Sequence, residues 1–190
     1  SDGTIVATGA TSGNLTVMPP DGASPVTMGA GRILTRGAQA FGTATNPELY
    51  FVGAGGAGGA NGNDVNYYAD LSAVTATSTP LKLALVTSMP SAPRAMAVNK
   101  NATAFWVGNA FGTANTTGWC QKWNVTRDGS NNVTGATLDA TFNFQFPADV
   151  TYPTGANNRG IALSPDESIL WLAYNEGSAA FPNNNSIVFG

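Results

Sequence analysis

The sequence predicts an all-β chain, a β-propeller built of four-stranded antiparallel blades, with about three and a half blades present as part of a larger ring. Three observations lead there. An arginine opens a short apolar strand three times, at Arg36-Gly-Ala-Gln-Ala-Phe41, Arg94-Ala-Met-Ala-Val98 and Arg159-Gly-Ile-Ala-Leu163. A more aromatic strand follows each one: Glu48-Leu-Tyr-Phe-Val-Gly53, Thr103-Ala-Phe-Trp-Val-Gly108 and Ser168-Ile-Leu-Trp-Leu-Ala173. The arginines stand 58 and 65 residues apart, too long for a solenoid repeat and right for a four-stranded blade with long loops.

Within a blade, the arginine strand is A and the aromatic strand is B. Each run is apolar or alternating over four to six residues and bounded by turn formers, which is the signature of a strand. Short turns join A to B at Thr43-Ala-Thr-Asn-Pro47, Asn99-Lys-Asn-Ala102 and Ser164-Pro-Asp-Glu167, where Pro165 presets φ and Asp166 tolerates the tight geometry. After B comes a loop of about ten residues, and then a third strand, C, at Val65–Ala69, Trp119–Val125 and Ser186–Phe189. The fourth strand, D, is expected at Leu81–Leu85 in one blade and Leu138–Phe144 in the next. Arg127-Asp-Gly-Ser-Asn-Asn132 makes the hairpin before the latter, with Asp128-Gly129 as its turn signal.

The first residues fit the template from strand B onward: Thr4–Thr8 as B, Asn14–Val17 as C, Pro19-Pro-Asp-Gly22 as the hairpin and Pro25–Met28 as D. The blades are therefore expected at 1–31 (partial, strands B-C-D), 32–91, 92–157 and 158–190 (partial, strands A-B-C), within one propeller domain. Six strands at the two ends cannot share one four-stranded blade. A ring of six to eight blades at about 60 residues each needs roughly 360 to 480 residues. The expected partner is accordingly the remainder of a longer polypeptide, ahead of other chains that would complete a self-assembled ring.

Composition narrows the function classes. Only 10% of the 190 residues are charged, the net charge is −3, and no run of Lys or Arg is available to neutralise phosphates, which argues against nucleic acid. Histidine is absent, removing the commonest general base and metal ligand. Cys120 stands alone and reads as a small buried hydrophobe on a strand. No apolar run reaches the ~18 residues of a membrane span. Low charge and abundant Asn and Thr resemble exported proteins, so the expected location is extracellular or at the cell surface. Six Asn-x-Ser/Thr sequons, at Asn14, Asn101, Asn115, Asn124, Asn132 and Asn184, matter only in a host that glycosylates.

The line Asn158-Arg-Gly-Ile-Ala-Leu-Ser-Pro-Asp-Glu-Ser-Ile-Leu-Trp-Leu-Ala-Tyr174 resembles the A-turn-B signature of propellers in the YVTN, NHL and lactonase-like group, with weaker copies at Arg94 and Arg36. The resemblance covers about two thirds of the chain and implies architecture. That group includes surface-layer proteins, lactonases, quinoprotein-like enzymes and protein-binding scaffolds, and none of its catalytic motifs is matched here.

Because strands alternate in direction, B-to-C loops and D-to-A linkers share one face of a propeller, and here those are the long ones. Loops displayed by a rigid scaffold carry function. The ligand-binding candidates on that face are Phe111, Phe181 and Tyr152, with Asn109, Asn158 and Glu176 beside them; Asn61, Asn63, Asp64, Asn115 and Asn157 are further polar neighbours. Aromatic platforms next to amides suit sugar rings, and equally suit sealing loops onto blades or meeting a neighbouring subunit. Arg36, Arg94 and Arg159 begin the innermost strands, where they would form a cationic ring at the channel mouth or, as their repetition in every blade favours, a structural pairing. The glycine-rich stretch Gly55–Gly62 lacks the Lys-Ser/Thr ending of a phosphate loop. Asn61-Gly-Asn-Asp64 offers oxygens to calcium but only one carboxylate, without the spacing of a known loop, so no metal or other cofactor is expected.

The leading expectation is a non-enzymatic extracellular or cell-surface scaffold presenting long loops for binding or assembly. The alternatives are part of a propeller hydrolase or quinoprotein whose catalytic groups lie in other blades, and a lectin-like carbohydrate binder.

Overall fold

The structure, a computed structural model, describes residues 5–8, 15–18, 26–28, 34–43, 46–54, 64–75, 77–84, 93–109, 120–142, 157–175 and 186–189. Among them are fourteen strands and one 3₁₀ turn, in four antiparallel sheets of three, four, four and three strands. The first sheet is β1 (Ile5–Thr8), β2 (Leu15–Met18) and β3 (Val26–Met28). The second is β4 (Leu34–Thr43), β5 (Asn46–Ala54), β6 (Val65–Tyr68) and β7 (Leu81–Ala84). The third is β8 (Pro93–Val98), β9 (Ala104–Asn109), β10 (Cys120–Arg127) and β11 (Val133–Leu138). The last is β12 (Asn157–Leu163), β13 (Leu170–Asn175) and β14 (Ser186–Phe189). Every sheet is a simple meander, each strand paired with its neighbours in sequence. The chain is thus all-β with the sheets of a partial β-propeller.

The chain divides into two compact units, one of residues 1–85 and 126–135, the other of residues 86–125 and 136–190. In the first unit β5 and β6 are buried on both faces. Leu49 and Phe51 point to a cluster with Tyr68, Leu71 and Val74, and the Phe51 and Tyr68 rings stack at 5.6 Å. The 3₁₀ turn Leu71–Ala73 supplies Leu71, and the Tyr68 hydroxyl donates to the Ser78 carbonyl at 3.1 Å, so the polar tip of a buried ring is satisfied. On the opposite face Tyr50 meets Tyr67 at 4.8 Å and the edge of Phe41 at 5.6 Å. In the second unit Phe105 and Trp123 stack at 6.4 Å beside buried Met96, Val98 and Val107. Cys120 is fully buried on β10, and burial pushes its thiol well above the usual range.

Two A-to-B turns are the same turn. Ala102 and Glu167 occupy the left-handed region at φ 50° and 62°, and their amides donate to the carbonyls of Asn99 and Ser164 at 2.9 and 2.8 Å. The residue that opens each turn closes it with its side chain: Asn99 Oδ1 accepts from the amides of Thr103 and Ala104, and Ser164 Oγ from that of Ile169. Asp166 accepts from the hydroxyls of Ser164 and Ser168, and those bonds pull its carboxyl down to about 2. Within this unit the Lys100 amide donates to the Glu167 carboxylate, joining the two turns.

Two expectations need correction, and the pairing adds a register that the spacing alone does not give. The fourth strand of the third sheet is Val133–Leu138 rather than Leu138–Phe144; the Asp128 loop is tight enough for the strand to resume at once, and residues 143–144 lie outside the described residues. Asp139 ends the strand by accepting from the amide and hydroxyl of Thr141. The hairpin itself stands where expected, but the left-handed residue is Asn131, at φ 66°, and Gly129 is not in that region. Asp128 makes the turn through its carboxylate, which accepts from the amides of Ser130 and Asn132 at 2.9 Å each. Finally, strand pairing puts Tyr50, Trp106 and Trp171 in corresponding places, opposite Gln39, Ala97 and Ala162, three residues beyond each arginine. A gap-free alignment of the three aromatic lines would instead put Phe51 there. The first blade has two more residues between arginine and aromatic than the others, and a one-residue slip exchanges the faces of a strand.

Candidate functional site

The three repeat arginines share a backbone feature that their spacing does not reveal. In the second sheet Thr35 pairs with Gly53 and Gly37 with Val52, so Arg36 is the extra residue of a β-bulge. In the third Pro93 pairs with Asn109 and Ala95 with Gly108, leaving Arg94 extra. In the fourth Asn158 pairs with Tyr174 and Gly160 with Ala173, leaving Arg159. A bulge bends its strand and re-aims a side chain, and bulges recur beside functional sites. Each of these lies at the end of strand A next to the point where strand B runs out into its B-to-C connection. Those connections are residues 55–64, 110–119 and 176–185, ten in each sheet.

Arg94 is half-buried and interacts within the fold. A planar guanidinium in such a place can hold a carboxylate or phosphate through two parallel hydrogen bonds, or do the same for a group of the protein. Asn109 is the last residue of β9, and Asn157 and Asn158 are the first two of β12, so these amides belong to the same strand ends. Phe111, Phe181, Tyr152, Glu176, Asn61, Asn63 and Asn115 lie outside the described residues.

Asp64, which opens β6 directly after the glycine-rich connection, is buried and forms a 2.9 Å ion pair with Lys82 Nζ on β7. The one carboxylate of the Asn61–Asp64 stretch is therefore engaged by an ammonium. Beside it Asn66 is fully buried, and its Nδ2 donates to the Asp64 carbonyl at 3.0 Å. Among the described residues no group of three His, Cys, Asp or Glu is placed to hold a metal ion, and no helix is long and apolar enough to cross a membrane.

One cluster is invisible to sequence reasoning. In the first unit Arg127, at the end of β10, reaches Glu48 Oε1 and Oε2 at 3.3 and 3.2 Å, the Tyr50 hydroxyl at 3.2 Å and the Asn131 carbonyl at 2.8 Å. Burial, with the Glu48 carboxylate nearby, pushes the Tyr50 phenol up to about 12, while the hydrogen bond to Glu48 raises the Arg127 guanidinium further. Glu48 and Arg127 are 79 residues apart, and no local pattern marks them as partners.

Meander sheets of three or four strands, three of the four with a bulged arginine on the first strand and a ten-residue connection after the second, are those of a propeller-type protein. No protein-family model and no curated protein matches the sequence. Among solved structures, the chain is similar to hydrazine synthase of Kuenenia stuttgartiensis, a β-propeller-containing protein, with a TM-score of 0.53 and 10% identity over 96% of this chain and 44% of that one. A likeness at that identity shows the fold alone. The chain spans less than half the length of this similar protein.

Proposed function

We propose that this chain is a non-enzymatic extracellular or cell-surface propeller scaffold that presents its long B-to-C loops for binding or assembly. What supports the reading is the matched set of three ten-residue connections, each leaving its sheet beside a bulged arginine. Rigid hairpins at the other end of the sheets, held by Asn99, Ser164 and Asp166, leave variation to the loop end. Phe111 and Phe181, with Tyr152, Asn109, Asn158 and Glu176, are the side chains of that end suited to contact a partner. The low charge and abundant Asn and Thr fit an exported protein.

A photo-crosslinking residue at position 111 or 181, in cells that make the protein, tests this. The expected result is capture of another protein chain by intact cells, together with release of the chain by protease added outside. Protection from that protease sinks the surface placement, and absence of any adduct at both positions sinks the loop-binding reading. Binding to a glycan array that disappears in Phe111→Ala or Phe181→Ala would replace protein by carbohydrate as the ligand.

A further inference from the structure

The outer strands of the first three sheets are not protected alike. An edge strand carries a row of backbone N–H and C=O groups with no strand beyond them, and proteins close such edges with short strands, prolines, bulges and inward-turned charges. β3, the outer strand of the first sheet, has three residues and follows Pro25. β7, the outer strand of the second, has four residues and follows Pro80. There Val65 pairs with Ala84 and Asn66 with Lys82, so Leu83 is the extra residue of a bulge, and the Lys82 ammonium reaches back to buried Asp64 at 2.9 Å. β11, the outer strand of the third, runs for six residues, Val-Thr-Gly-Ala-Thr-Leu, without a proline or a charge. Thr134 and Thr137 on it are exposed, and it ends at Leu138, a large apolar side chain that is 43% exposed.

We propose that β11 pairs antiparallel with β11 of a second copy of this polypeptide, Gly135 opposite the partner's Gly135, so that two four-stranded sheets join edge to edge. Residues directly opposite in an antiparallel pair share a sheet face, so a two-fold axis between identical strands must set some residue against its own image. Centred on Gly135, the register sets Thr137 against the partner's Val133 and Thr134 against the partner's Ala136, β-branched or small groups throughout. Centred one residue later, it would set the Asp139 carboxylate against buried Val133. Centred one residue earlier, it would set Ala136, Thr137 and Leu138 against the Asp128 turn instead of against a strand. Self-pairing of an uncharged strand brings no like charges together, a condition that a contact between identical surfaces imposes and that a foreign peptide does not. The contact uses a strand edge rather than the B-to-C loops, and it stands whatever those loops bind.

The test uses the polypeptide as its natural source makes it. A six-residue contact lies at the small, reversible end of interfaces, so sedimentation is followed up to about 100 μM chain, where the mass should rise toward twice that of the monomer. Thr134→Lys, at an exposed position, sets two ammonium groups diagonally across the axis and should hold the protein monomeric, while Thr134→Val should associate as the wild type does. Cross-linking reads the register. Directly opposed residues have Cα atoms about 4.5–5.5 Å apart, within the span of a disulfide, and a Cβ at position 135 would make an ordinary contact, 3.4 Å from Thr126 Oγ1. Gly135→Cys should therefore give a covalent dimer with copper phenanthroline. Thr137→Cys should not, since its image lies roughly 14 Å away, and buried Cys120 does not compete. A wild type that stays monomeric over the whole range overturns the proposal, as does a dimer that survives Thr134→Lys. Equal cross-linking at 135 and 137 overturns the register, and capture of a different protein at 135 replaces the second copy by a foreign strand.

Discussion

Replacing Arg127 by methionine keeps much of the aliphatic stem and removes one guanidinium that serves three groups. Glu48 loses both of its charged contacts, at 3.2 and 3.3 Å, and retains a Tyr50 hydroxyl at 3.5 Å. The Asn131 carbonyl loses a 2.8 Å donor but can turn to water, since the hairpin tip is exposed. The two charged side chains are each 18% exposed, so the pair sits between the surface limit, about 0–1 kcal/mol, and the buried limit, about 3–5 kcal/mol for removing one partner. A loss of about 2–3 kcal/mol follows, or roughly 4–12 °C in melting temperature for a chain of this size. Urea denaturation followed by circular dichroism measures it, with Glu48→Gln and the double substitution completing a cycle. The double variant should recover most of the loss, because the penalty is an uncompensated carboxylate. A single-variant loss under about 0.5 kcal/mol, or a double variant no better than the single, would refute the reasoning.

Lys82→Met leaves the Asp64 carboxylate, only 6% exposed, without its ammonium, and should cost about 3 kcal/mol, whereas Lys82→Arg should cost much less; equal losses in chemical denaturation would remove the charge argument. Tyr50 and Tyr68 titrate near 12 in the folded protein against 10.0 ordinarily, so the unfolded state gives up these protons first; stability is full below pH 10 and falls between pH 10 and 12. Absorbance at 295 nm should show those phenolates appearing only at the upper end of that window, and a normal titration of Tyr50 would contradict its burial. Cys120, fully buried with its thiol pushed up, should react with Ellman's reagent only as fast as the protein unfolds; rapid labelling in native buffer would mean that β10 opens locally.

Strand content, sheet count and the three-four-four-three pattern are legible in the sequence because alternation and turn formers act over a few residues, and the meander needs no long-range choice. The Val133–Leu138 strand is missed because Gly135 and exposed Thr134 weaken its pattern, while the more apolar Leu138–Phe144 run draws the eye. The Asp128 hairpin is legible in place and misread in mechanism: the side chain of Asp128 does what the following glycine is usually recruited to do. Among the candidate site residues the arginines are found by repetition and the strand-end asparagines by position. Nothing local could show that each arginine is a bulge, since a bulge is a relation between two strands.

By itself, then, the sequence determined the architecture: all-β, antiparallel, repeating, with long loops at one end of the sheets and mostly short turns at the other, the twelve-residue connection between β6 and β7 being the exception. Tertiary structure alone decided the register that equates Tyr50 with Trp106 and Trp171, the bulges at Arg36, Arg94 and Arg159, and the pairing of Arg127 with Glu48 across 79 residues. The physical reason is range. Backbone preference and amphipathic period are written residue by residue, whereas register, bulges and buried ion pairs are settled by which of several compatible alignments leaves the fewest apolar groups in water and the fewest charges without a partner.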